Sequence, residues 1–337
     1  MTPSPLVERL ARGPVLCAEG YLFELERRGF LQAGAYVPEV VLDHPEEVEQ
    51  LHREFVHAGS DVVEAFTYYG HREKLRLIGK EHLLEPLNRD ALEIASRVAR
   101  DTGALLAGDV CNTNLYFDEP RARRAVRAMF DEQVAWAAEA GVDYVIAETF
   151  QFAGEALLAT EAIRAAGLDA VVTLAVHREP ETREGWTPAE ACRRLADAGA
   201  TVVGLNCIRG PRTMLGLLDG VRAAVDVPVA ALPVPYHTHE HEPTFQSLGE
   251  GHAFPLALDP FTCTRDEVAA FARDALALGI EYLGLCCGAA PHHIRAMAEA
   301  MGRRPPASRY SPDMSKHAYL GTDPSLQREN LAFAERL

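Results

Sequence analysis

Three cysteines carry the chemistry that this sequence signals most clearly. Cys207 closes the run Thr201-Val202-Val203-Gly204-Leu205-Asn206-Cys207, and Cys286-Cys287 closes Tyr282-Leu283-Gly284-Leu285-Cys286-Cys287. Each run reads as a buried strand, so the sulfurs stand at strand ends, where a turning backbone can aim adjacent side chains at one point. Three thiolates suit zinc, a borderline-soft ion that prefers tetrahedral nitrogen and sulfur ligands, and three protein ligands leave one position open. With so much negative charge around it, such an ion activates water poorly, yet it holds a fourth sulfur as thiolate at neutral pH. A bound thiolate is the nucleophile that methyl transfer needs. Spacing alone leaves the alternatives open: the set follows no common CxxC pattern, and three core thiols or a vicinal disulfide fit equally well. Cys17, Cys192 and Cys263 read as packing thiols. So does Cys111, with lining of the site as its alternative. His237, His239 and His241 alternate and share one side of an extended segment. They read as a polar loop, with a second metal site as the alternative.

The elements that must position these residues recur along the chain. Short runs rich in Val, Leu and Ile occupy residues 15–17, 61–66, 104–108, 144–147, 170–176, 201–207, 228–232 and 282–287. Continuous apolar runs of that length fit strands of a parallel sheet buried on both faces. Helix-period segments lie between them. Val48, Leu51 and Phe55 share one face, and Thr187-Pro188-Ala189-Glu190 supplies an N-cap, a first-turn proline and the glutamate of a capping box. The helix it starts points Cys192, Leu195 and Ala196 inward. A glycine suited to a left-handed cap ends several helices, as at Gly59 and Gly199, shortly before the next strand. Eight strand-helix units predict a (β/α)8 TIM barrel, with an open doubly wound sheet as the alternative. Long loops are expected after strand 1 (about 21–45), strand 2 (about 67–90) and strand 7 (236–260), where barrel loops build active sites. Residues 1–304 read as the barrel. Residues 305–337, opening with Pro305-Pro306, read as a C-terminal arm and a possible homo-oligomer contact.

A formal net charge of -16 argues against nucleic acid and anionic membranes as partners. No apolar run is long enough to span a bilayer, and the first residues lack a secretory pattern, which predicts a cytoplasmic location. In that setting seven cysteines, an odd number, read as thiols or metal ligands.

Gly204-Leu205-Asn206-Cys207 and Gly284-Leu285-Cys286-Cys287-Gly288 resemble the two zinc-binding segments of the homocysteine S-methyltransferase family, and the chain is most similar to its betaine-dependent members. Ala65-Phe66-Thr67-Tyr68-Tyr69, Ile146-Ala147-Glu148, Tyr236-His237-Thr238 and Pro291-His292-His293 support the likeness. The resemblance implies a (β/α)8 barrel, Zn2+ on Cys207, Cys286 and Cys287, homocysteine as acceptor and a small methyl-onium donor. It further implies that Glu148 holds the amino group of homocysteine. Thr67 joins the implied substrate contacts. Two departures stand out. Where the family has Asp-Gly-Gly, this chain has Ala18-Glu19-Gly20, so Glu19 is the candidate to supply the lost charge from one position later, with homocysteine binding weakened or altered as the alternative, and Gly20 is the matching glycine for amide access. In the donor pocket Tyr36 stands where the betaine enzymes have a tryptophan, Tyr69 matches a tyrosine, and Thr149 replaces another tyrosine. Losing one ring removes roughly 0.5–2 kcal/mol of cation–π attraction. A sulfonium donor or another thiol acceptor is therefore an alternative expectation, as is a binding protein that keeps zinc without methyl transfer.

Overall fold

The computed structural model describes residues 3–322 together with 332, 333, 335 and 336. Eight parallel strands, β1 (Val15–Ala18), β2 (Val62–Glu64), β3 (Leu105–Cys111), β4 (Tyr144–Phe150), β5 (Asp169–Leu174), β6 (Val202–Asn206), β7 (Val229–Leu232) and β8 (Tyr282–Leu285), form one sheet. Its order is β1-β8-β7-β6-β5-β4-β3-β2. Every neighbour is sequential except β1 and β8, which meet with Val15 opposite Tyr282. The order never reverses, as a doubly wound sheet requires, so the (β/α)8 barrel holds.

The seam between β1 and β2 is latched by Asp61, with the Ser60 hydroxyl donating to the Leu16 carbonyl at 3.3 Å beside it. The Asp61 amide donates to the Leu16 carbonyl at 2.7 Å, and the Leu16 amide donates to Asp61 Oδ2 at 2.7 Å. The same carboxylate receives Arg9 at 2.8 Å and Arg303 at 2.6 Å. One residue thus ties the first helix, the seam and the end of the last helix together.

Strand side chains alternate between two environments, as the pleat requires. Leu16, Val145, Val203 and Leu283 pack outward under the helices. Val15, Cys17, Val62, Ala107, Tyr144, Ile146, Val202 and Tyr282 fill the barrel interior. The helix Pro5–Ala11, which the sequence reading did not anticipate, closes the lower end by burying Leu6 among them.

The expected helices form, with adjustments. Pro45–Ala58 buries Val48, Leu51 and Phe55, and Gly59 ends it at φ 117°. Thr187 caps Pro188–Asp197 by accepting from the Glu190 amide at 3.2 Å. The predicted capping box is incomplete, because the Glu190 carboxylate turns to Arg194 at 2.7 Å instead. Ala191, not Ala196, joins Cys192 and Leu195 on the buried face. The first long loop contains the helices Tyr21–Arg27 and Val40–Asp43, and the second contains Arg72–Leu77. The barrel helix after β2 begins at Leu84, inside the stretch read as loop. A further long connection, residues 175–187, follows β5. The arm begins packed on the barrel, with Ala307 buried, and then exposes Tyr310, Met314, Tyr319 and Leu320. Its residues 323–331, 334 and 337 lie outside the described ones. Among the described residues no helix is long and apolar enough to cross a membrane.

Candidate active site

Continuing the inward parity of each strand toward its C-terminal end places polar groups in the top layer of the barrel. Cys17 leads to Glu19, Val62 to Glu64, Ala107 to Asp109, Ile146 to Glu148 and Gly204 to Asn206, while Gly284 leads to Cys286. All six are buried. Glu19, Glu64, Asp109, Glu148 and Cys286 line one cavity, together with Tyr21, Phe66, Tyr68 and Cys287.

Cys207 and Cys287 break this parity. Each follows an inward residue and would face outward in a regular strand. Cys207 and Ile208 instead take left-handed φ of 55° and 57°, and Gly288 turns the chain after Cys287 at φ 96°. A left-handed β-branched residue such as Ile208 costs about 1–3 kcal/mol and persists only where neighbours over-determine it. Here the Cys207 carbonyl accepts from the Arg209 amide at 2.6 Å, and the Arg209 carbonyl accepts from the Val234 amide at 3.0 Å. The buried Arg209 guanidinium also donates to the carbonyls of Val176, His177 and Arg178. The strained turn brings the sulfurs of Cys207, Cys286 and Cys287 within 4.8 Å of one another. The Cys286 and Cys287 sulfurs are 3.9 Å apart, and all three are free thiols, which excludes the vicinal disulfide. The neighbouring thiols of Cys286 and Cys287 hold the Cys207 thiol well below the usual range.

Beside the sulfurs sits an unusual density of negative charge. Oxygens of Glu64, Asp109 and Glu148 lie within 4.8 Å of one another, and Glu19, Glu148 and the Cys286 sulfur form a second such group. Burial, reinforced by mutual repulsion, pushes Glu19, Glu64 and Asp109 upward. Burial and the nearby Cys207 push Glu148 up to about 8. Glu19 Oε1, Glu64 Oε2 and Asp109 Oδ1 have no hydrogen-bond partner among the described residues. Buried acceptors of that kind are costly unless a cation meets them. Asn206 organises the group: its amide donates to Glu148 at 2.6 Å, to Thr149 Oγ1 at 2.9 Å and to Glu19 at 3.4 Å.

The remaining expected contacts divide. Gly20 adjoins the site in an ordinary conformation, φ -81°, and what demands glycine is space, since a Cβ would meet the Ala289 carbonyl at 2.6 Å. Thr149, at φ 62° on a β4 register shift, donates its hydroxyl to Glu148 at 2.9 Å and so orients that carboxylate. Thr67 donates to the Asp109 carbonyl at 2.8 Å; it braces β3 and is not part of the cavity lining. Tyr36 and Tyr69 both hold left-handed backbone, φ 53° and 60°. Tyr36 packs against Phe23 with its hydroxyl buried and without a partner among the described residues, and burial pushes it up to about 12. Tyr69 lies 4.4 Å from Tyr68, ring to ring, and its amide donates to the Cys111 sulfur at 3.2 Å. Cys111 therefore anchors the loop after β2. The Lys74 ammonium lies 4.5 Å over the Tyr69 ring.

The sequence profile of the family described as Homocysteine S-methyltransferase matches residues 20–301. The chain belongs to the homocysteine S-methyltransferase family. It is 37% identical to a betaine–homocysteine S-methyltransferase of Xenopus tropicalis, over 94% of this chain and 80% of that protein. It is equally similar, at 37%, to an S-methylmethionine–homocysteine S-methyltransferase of Rattus norvegicus, over 94% of this chain and 86% of that one. Among solved structures, the homocysteine methyltransferase MmuM of Escherichia coli in its metallated form superposes with a TM-score of 0.70. That likeness covers 88% of this chain and 99% of the other at 19% identity, and shows the shared fold.

Within this homocysteine S-methyltransferase the donor set fits a soft dication: three converging thiols, two of them lining the buried cavity, drawn together by strained backbone that packing alone does not require. The three alternating histidines do not converge. His237 pairs with Glu267 at 2.9 Å and His239 with Glu242 at 3.1 Å. Sequence reasoning missed Glu64, Asp109 and Asn206 as site residues. Their signal was present, a polar residue in phase with the inward positions of an apolar strand.

Proposed function

We propose that this S-methyltransferase moves a methyl group from a small betaine-like onium donor to the thiol of homocysteine, giving methionine, at a zinc-dependent site. The observation that carries the reading is the convergence of Cys207, Cys286 and Cys287 beside buried carboxylates with unpartnered oxygens. Zinc held by the three cysteines would keep the acceptor sulfur as thiolate beside its vacant position. Glu148, fixed by Asn206 and Thr149, and Glu19, fixed by Asn206, bind the acceptor ammonium. Glu19 thereby replaces the aspartate lost at Ala18. Tyr36 and Tyr69 offer ring faces to the donor cation. A thiolate lone pair forms the new carbon–sulfur bond, and the electron pair of the broken bond stays on the leaving nitrogen or sulfur. Orientation and exclusion of water supply most of the acceleration.

Lys74 favours a donor that brings its own carboxylate. Its ammonium sits over one face of Tyr69 with no carboxylate of the described residues in ion-pair range. Free thiols throughout support a reducing, cytoplasmic setting, which cell fractionation checks. We read 1–304 as the methyl-transfer unit and 305–337 as an arm for contact with a second subunit. The exposed Tyr310, Met314 and Leu320 support this, and sedimentation of a chain ending at residue 312 tests it.

The deciding experiment assays methionine formation from homocysteine with glycine betaine, S-methylmethionine and dimethyl sulfonium donors while zinc content is measured. Cys207→Ala is expected to lose the zinc of this site and more than about 100-fold in turnover together. Retained zinc with full turnover in that variant overturns the assignment. Zinc without turnover on any donor identifies a binding protein instead.

A further inference from the structure

We propose that His237, Cys263 and Glu267 form a second metal centre, distinct from the three-cysteine site, that takes a zinc-type divalent ion. One ring nitrogen of His237, the Cys263 sulfur and one carboxylate oxygen of Glu267 lie within 4.8 Å of one another, at the wall of a groove also lined by Leu215, Phe271 and Asp274. Nitrogen, sulfur and oxygen donors in this combination suit a tetrahedral ion with one position left toward the groove.

The frame is rigid. His237 donates its amide to the Phe261 carbonyl at 2.8 Å, and Cys263 donates its amide to the Pro235 carbonyl at 2.9 Å, so the two segments run antiparallel as a bridge. Glu267 is fixed by the capping box of the helix Arg265–Ala277, where Oε2 accepts from the Thr264 amide at 2.7 Å. Its other oxygen makes no hydrogen bond to the described residues and remains to ligate. Cys263 is only 5% exposed, and its sulfur makes no hydrogen bond among the described residues. A packing thiol, as the sequence alone suggested, would not need a histidine and a carboxylate at its side.

Charge favours the assignment. A thiolate and a carboxylate neutralise the dication, so the loaded site carries no net charge. The thiol proton leaves to solvent as the metal–sulfur bond forms. The centre would staple the loop after β7 to its helix. That loop carries Tyr236, which receives Arg27 at 2.9 Å on its hydroxyl and packs against Gly288, next to Cys287.

The test uses the full chain loaded with zinc alone. The native protein should hold two zinc ions per chain, and Cys263→Ser or His237→Ala should hold one while methyl transfer continues. A chain with Cys207, Cys286 and Cys287 all changed to Ser should keep one ion. Loaded with cobalt, it should show a thiolate-to-metal charge-transfer band that Cys263→Ser abolishes. An unchanged zinc count in Cys263→Ser overturns the proposal, whether or not the triple variant folds. A single native ion lost in Cys263→Ser but kept in Cys207→Ala upholds this centre and sinks the other.

Discussion

Two carboxylates that meet across the barrel mouth, Glu19 just beyond β1 and Glu148 on β4, share the proposed duty, and their surroundings differ. Glu148 is held by two donors, Thr149 and Asn206, whereas Glu19 has one long contact to Asn206 and a bare Oε1. A carboxylate already aimed loses little entropy when an ammonium arrives, so Glu148 should carry the larger share of acceptor binding. Replacing Glu148 by Gln should lower kcat/KM for homocysteine by about 10- to 100-fold, the size of a lost charge-assisted hydrogen bond, while zinc stays bound. Glu19→Gln should lower it about 3- to 10-fold, chiefly through KM. Equal losses in both variants contradict the division of labour. No loss in Glu19→Gln means that the charge missing at Ala18 is not restored from position 19.

At the scale of elements, the barrel depends on how its ends are tied. The β1–β2 seam rests on Asp61, which serves a strand amide and two guanidinium groups at once. Asp61→Ala should destabilise the fold by about 2–4 kcal/mol in urea unfolding, and Asp61→Asn, which keeps an acceptor for the Leu16 amide, by about half as much. A change within about 0.5 kcal/mol for Asp61→Ala would show that the seam closes without it. This latch was not legible in the sequence, because Asp61 reads there as an ordinary residue at a strand start. Other features were legible. Thr187 announced a helix start, Gly59 announced an end, and Cys207 and Cys286-Cys287 stood at their strand ends. What escaped was geometry that alternation alone forbids. Thr149, Cys207 and Ile208 are left-handed, and no local pattern of residue types announces left-handed backbone at threonine, cysteine or isoleucine. Glu64 and Asp109 were legible in principle, two positions beyond Val62 and Ala107.

Taken as a whole, the molecule buries titratable groups of both kinds, and their pH effects oppose each other. The site carboxylates and Glu155, pushed up to about 7 by burial, hold protons in the folded state that the unfolded chain has released. Their stabilising contribution is complete below the unfolded pKa of about 4.3 and is lost as pH rises through the folded values. His52 acts in the other direction. It is fully buried, neither ring nitrogen has a partner among the described residues, and burial pulls it down to about 3. The unfolded chain binds a proton at this residue below about pH 6.5 and the folded one does not. Stability from His52 is therefore present above pH 6.5 and falls by about 1.4 kcal/mol per unit as pH drops toward 3. Because the carboxylates offset this, the native protein's total profile does not isolate it, but a variant does. His52 packs edge-on against Tyr21 at 4.9 Å, a contact that phenylalanine can keep. In His52→Phe the unfolding free energy relative to the native protein should rise by about 1.4 kcal/mol for each unit between pH 6.5 and 4. Parallel profiles for the two proteins would mean that His52 is solvated or paired, and that the packing around Tyr21 beneath the site is looser than this structure shows.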